Sequence, residues 1–108
     1  MIEIRQYIDR SGRNRFEQWF ENLEGTTRAR IAIALERLRE GNFSAVKGIG
    51  AGVCELRLDF GPGYRVYLGK DGERLVILLG GGTKKRQQTD IDAAKALWQE
   101  YKLQKREE

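Results

Sequence analysis

The spacing of apolar positions changes along the chain, and each change predicts an element. "IEIRQY" alternates, with Ile2 and Ile4 facing one way, and predicts a short first strand. "SGRNRFEQWFENL" then sets Phe16, Trp19, Phe20 and Leu23 at helical spacing, and the Gly25–Thr26 break ends that helix. Thr26 or Thr27 can cap a second helix with Ile31, Ala34, Leu35 and Leu38 as its apolar stripe and Gly41 as its stop. The two helices form an antiparallel pair with a shared apolar face, so Phe16, Trp19 and Phe20 are expected in the core rather than in a binding patch.

Residues 42–52 carry no regular signal, and after them the period becomes two. In "CELRLDF" Cys54, Leu56, Leu58 and Phe60 face inward, while Glu55, Arg57 and Asp59 face outward. "GPG" makes a tight turn, and "YRVYL" resumes with Tyr64, Val66 and Leu68 inside. "KDGE" predicts a two-residue hairpin turn at Asp71–Gly72. "RLVILL" is apolar on both faces and marks the best-covered strand. Thr89, with Asp92 three residues on, predicts the start of a last helix that buries Ala94, Leu97, Trp98 and Tyr101. The order is β-α-α-β-β-β-α, an α+β fold with helices on one face of an antiparallel sheet, in a single domain over residues 1–108.

Composition narrows the chemistry. With no histidine, imidazole zinc sites, Ser-His-Asp triads and histidine bases are excluded. The acidic residues are scattered, so no metal and no cofactor are expected. Cys54 is the single cysteine; it sits in an alternating apolar pattern and reads as a packed thiol, consistent with a reducing cytoplasm. No apolar run is long enough to span a bilayer, and the start lacks the pattern of a secretory signal. The net charge of +4 is mild evidence for an anionic partner, and its distribution says more.

Pairing Phe60 with Tyr64 across the "GPG" turn predicts Arg57 opposite Tyr67 and Asp59 opposite Arg65. Arg57 and Arg65 then become diagonal neighbours within roughly 8 Å on the face away from the helices. The next hairpin brings Lys84, Lys85 and Arg86 to the same end. Each cation alone reads as an ordinary solvated or paired residue. Together they would repel one another unless something anionic arrives. The glycines of "LLGGGTKKRQQTDI" do not make a phosphate-binding P-loop, because no Gly-Lys-Ser/Thr sequence closes the loop. They are expected to permit a bulge and to leave the face clear of side chains.

"ELRLDFGPGYRVYL" followed by "LVILLGGGTKKRQQTDIDAA" resembles the RelE/ParE superfamily of type II toxins, most closely its HigB-like addiction module killer branch. The resemblance covers nearly the whole chain and implies a RelE-like fold. It implies a toxin held inactive by a cognate helix-turn-helix antitoxin, reaching operator DNA only through that complex. Many relatives are ribosome-dependent endoribonucleases acting on mRNA by 2′-hydroxyl attack on the adjacent phosphate, without a metal. By position, Arg57, Arg65 and Lys84 match the catalytic cations, with Lys85, Arg86 and Tyr67 expected to bind substrate. The chain departs from several relatives in having glycine where they place a histidine before the basic loop, and in lacking their late tyrosine. A lysine of the loop is then left to move the proton. The superfamily also contains gyrase inhibitors with no nuclease chemistry, and an inactive antitoxin-binding module is a third alternative.

Overall fold

The computed structural model describes residues 1–107. The elements run β1 (Glu3–Gln6), α1 (Arg15–Glu21), α2 (Gly25–Arg39), β2 (Val46–Gly50), β3 (Val53–Leu58), β4 (Tyr64–Asp71), β5 (Leu75–Thr83), a 3-10 turn (Lys84–Arg86) and α3 (Gln87–Glu107). The five strands lie in the order β1-β5-β4-β3-β2. The α+β class and the RelE-like arrangement hold, with three differences.

The first difference is a strand in the stretch without a regular signal. β2 pairs antiparallel with β3, Val46 opposite Leu56, and its register shifts between Gly48 and Gly50. Second, β1 pairs parallel with β5, from Glu3–Leu75 to Gln6–Leu78, so the sheet is mixed. The chain passes through two helices before β5 forms, which allows a parallel return that a hairpin cannot make.

The third difference is that helices cover both faces. Val66, Leu68, Val76 and Leu78 pack with Phe16, Ile31 and Leu38 from α1 and α2. The intervening residues Tyr67, Ile77 and Leu79 pack with Ile91, Ala94, Leu97 and Trp98 from α3. One-sided packing therefore holds for α1 and α2 only. The physical reason is the doubly apolar β5, whose second face needs its own cover. Trp98 lies so close to the sheet that a Cβ on Gly69 would come within 2.4 Å of its ring.

Caps and turns set the boundaries. The Asn14 side chain accepts the Glu17 N–H at 3.0 Å and starts α1. α2 ends as expected at Gly41, with φ of +95°; the N–H groups of Gly41 and Asn42 return to the carbonyls of Leu38 and Arg37. Its start differs: Glu24 occupies the cap position without a side-chain bond, and Thr26 and Thr27 lie inside the helix. Likewise α3 begins at Gln87, which places Thr89 within the first turn rather than at its cap. Asp71 pairs with Leu75, so the loop at Gly72 has three residues instead of two.

Candidate functional site: a paired arginine cluster beside a basic turn

The β3–β4 ladder brings the cations closer together than the sequence predicts. Leu58 pairs with Tyr64, Arg57 with Arg65 and Glu55 with Tyr67. Arg57 is thus directly opposite Arg65, Asp59 leaves the ladder, and the loop spans residues 59–63. Gly61 and Gly63, with φ of +54° and +78°, close this wider loop. Phe60 packs against the α1–α2 core instead of pairing, under the Arg30 guanidinium at 3.6 Å.

Two arginines directly across a ladder repel, so the pair needs an anion. Glu55 supplies it from the same face, two residues before Arg57. Its Oε1 lies 3.2 Å from Arg57 Nε and its Oε2 lies 3.6 Å from Arg65 Nε. Gln87 at the start of α3 reaches the same carboxylate at 3.5 Å. Glu55 is 1% exposed and Arg65 4% exposed. The expected exposure of Arg65 is therefore overturned, and its partner is Glu55, not Asp59. The 3.6 Å contact is too long for a hydrogen bond, so the buried Arg65 Nε–H has no acceptor among the described residues. Arg65 instead donates through Nη1 to the Gly63 carbonyl at 2.8 Å.

That carbonyl also accepts the Lys84 N–H at 3.0 Å, which fixes where the basic turn leaves β5. Lys84, Lys85 and Arg86 then expose all three side chains on a single 3-10 turn. Arg57 is half exposed. The accessible charge is thus Arg57 plus the turn, anchored on a buried Glu55–Arg65 pair. Such an arrangement can neutralise phosphate and stabilise charge developing on it. Glu55 is held between two guanidinium groups.

Tyr67 stands apart from this exposed group. It is 1% exposed and faces α3, so it offers no open ring to a substrate or to Arg57. Its hydroxyl has no hydrogen-bond partner among the described residues, and burial, with smaller contributions from Asp90 and Glu55, pushes its pKa up to about 12. It lines a cavity of about 320 Å³ with Trp19, Leu79, Gly80, Asp90 and Leu97. Burial also raises the Asp90 carboxyl above its ordinary value, against the lowering effect of Arg86.

The glycines before the basic turn serve close packing. β5 bulges at Leu79, so that Gly80, Gly81 and Gly82 pair with Tyr67, Val66 and Arg65. A Cβ on Gly81 would come within 2.2 Å of the Trp19 ring, and one on Gly82 within 2.0 Å of Asp90 Oδ2. Sequence reasoning missed the roles of Glu55, Gly63 and Asp90. Glu55 alone carried a signal, being on Arg57's side of a period-two strand.

A family model described as "Phage derived protein Gp49-like (DUF891)" matches residues 18–102. An uncharacterized protein of Haemophilus influenzae is 45% identical over 89 residues, which cover 82% of this chain and 90% of the relative. The match includes α2, the whole sheet except β1, the basic turn and most of α3. The chain belongs to the Gp49-like phage-derived family, a toxin–antitoxin toxin family of the RelE/HigB type.

Proposed function

We propose that the protein is a ribosome-dependent mRNA endoribonuclease of the HigB-like branch, acting in the cytoplasm and restrained by a helix-turn-helix antitoxin. The observation that carries this reading is the shared Gly63 carbonyl, which ties the buried Arg65 to the exposed Lys84 turn. The ribose 2′-oxygen attacks the adjacent phosphorus and gives up its proton to solvent water, from which Lys84 is reprotonated after the cut. The bond from phosphorus to the 5′-oxygen breaks, that oxygen gains a proton, and a 2′,3′-cyclic phosphate remains. Arg57 and Lys84 offset the charge on the phosphorane, and Arg65 holds the position of the turn and of Glu55. Lys84 hands the proton to the leaving oxygen, while Lys85 and Arg86 hold neighbouring phosphates.

Operator DNA is reached only through the antitoxin complex, and the +4 net charge favours an antitoxin with an acidic surface. The test is the chemistry of the cut ends. Purified protein added to ribosomes carrying a defined message should leave 2′,3′-cyclic phosphate on the upstream fragment and a 5′-hydroxyl on the downstream one. Intact message under these conditions, with DNA cleavage accumulating in the presence of gyrase, supports the gyrase-inhibitor reading instead.

A further inference from the structure

The cavity beside Tyr67 is not used by the phosphate chemistry, yet it has the features of a built site. β1 stops pairing with β5 at Leu78, so the outer edge of Leu79–Thr83 has no strand partner among the described residues. The cavity opens along this edge, between α1 and the start of α3. Trp19 supplies an aromatic wall, and Leu79, Ala94 and Leu97 supply apolar surface. Its volume of about 320 Å³ holds a two-ring base with room for water.

Two polar groups converge on this slot. The Tyr67 hydroxyl is buried without a partner among the described residues, although buried hydroxyl groups nearly always have one. The Asp90 carboxyl side chain lines the same cavity. Arg13 and Arg15 add positive charge on the α1 side. Tyr67 is two residues from Arg65 on the same face, about 7 Å along the strand.

We propose that this cavity is a guanine subsite, with Asp90 accepting from the N1–H and N2–H groups of the base and the Tyr67 hydroxyl donating to O6. Among the four RNA bases, only guanine offers one carboxylate two adjacent N–H donors beside an acceptor. Trp19 provides the stacking surface, which is indifferent to base identity, so the choice of base falls to Asp90 and Tyr67. The inference rests on RNA being the ligand but is independent of whether the RNA is cut.

The experiment is calorimetric titration of the purified protein with 5′-GMP, 5′-IMP, 5′-AMP and 5′-UMP. IMP retains the guanine ring and O6 but lacks the N2 amine. The expected result is GMP binding roughly ten- to a hundred-fold tighter than IMP or UMP. Asp90→Asn should abolish the difference between GMP and IMP. Tyr67→Phe keeps the packed ring and should weaken GMP binding independently of Asp90→Asn. Equal affinity for all four nucleotides, no binding at millimolar concentration, or an unchanged preference in a folded Asp90→Asn overturns the proposal. RNA cleavage without GMP preference removes the guanine subsite and leaves the nuclease reading intact. GMP preference without cleavage retains the subsite and removes the nuclease.

Discussion

Arg65 and Lys84 share one acceptor: the Gly63 carbonyl takes a hydrogen bond from Arg65 Nη1 at 2.8 Å and from the Lys84 N–H at 3.0 Å. The buried and the exposed cation are therefore held by the same peptide group. Gly63 has φ of +78°, and a Cβ there would lie 3.2 Å from Arg65 Nη1 and 3.4 Å from the Lys84 Cβ. Gly63→Ala should cost about 1–2 kcal/mol through the left-handed backbone alone. It should also displace both cations, so toxicity should fall by more than the loss of folded protein explains. Urea denaturation alongside a growth assay at matched protein level checks this.

Arg65 and Lys84 should part company on mutation to alanine. Arg65→Ala leaves the buried Glu55 with Arg57 as its remaining cationic partner, and breaking a buried ion pair costs about 3–5 kcal/mol. Lys84 is exposed, so Lys84→Ala should change stability by no more than about 0.5 kcal/mol. A chemical-denaturation midpoint that moves equally for both variants contradicts the buried role assigned to Arg65.

Neighbouring glycines of β5 provide a second internal comparison. A methyl group on Gly81 would run into the Trp19 ring, whereas one on Gly80 meets nothing within 4 Å. Gly81→Ala should lower stability by about 1–3 kcal/mol from overpacking. Gly80→Ala should be neutral or slightly stabilising, by up to about 1 kcal/mol, through the unfolded chain. Thermal melts of the two variants separate these outcomes.

Asp71 and Asp90 should have opposite effects on the pH dependence of stability. The Asp71 carboxyl is held below its usual value by hydrogen bonds from Lys105 and then Tyr101. Its contribution is present above the unfolded pKa and is lost as pH falls through the lower folded value. Asp90 is raised, chiefly by burial. Its contribution is present below the unfolded pKa and is lost as pH rises through the higher folded value. Asp71→Asn should therefore destabilise at pH 7, with the deficit shrinking in acid. Asp90→Asn should stabilise at pH 7, with the gain vanishing below the ordinary aspartate range near about pH 3.9. Denaturation curves across the acid range read both.

The parity of β3 and β4 was legible in the sequence, because a half-buried strand alternates and one wrong step exposes its apolar side. Arg57, Arg65 and Tyr67 do share a face, with Glu55. The register was not legible, since it depends on Phe60 packing inward while Gly61 and Gly63 widen the loop. β2 was hidden because only Val46 and Ile49 turn partly inward, three residues apart, across a register shift at Gly48–Gly50. That spacing breaks the period of two that marks a strand. The burial of Arg65 depends on its place beside Glu55 and on α3 starting at Gln87, a long-range fact with no local pattern. The glycine run read as freedom for the backbone. Its observed use is to let Trp19 and Asp90 approach Gly81 and Gly82.

We propose that the exposed cations around Lys84 act on translated RNA. The most direct measurement is primer extension on cellular messages after induced expression of the wild-type protein and of Lys84→Ala at equal abundance. The account predicts new 5′ ends inside translated regions with the wild type and a loss of roughly a hundred- to a thousand-fold in their rate of appearance with the variant. Unchanged messages in growth-arrested wild-type cells, or identical cleavage by a folded Lys84→Ala protein, would contradict it.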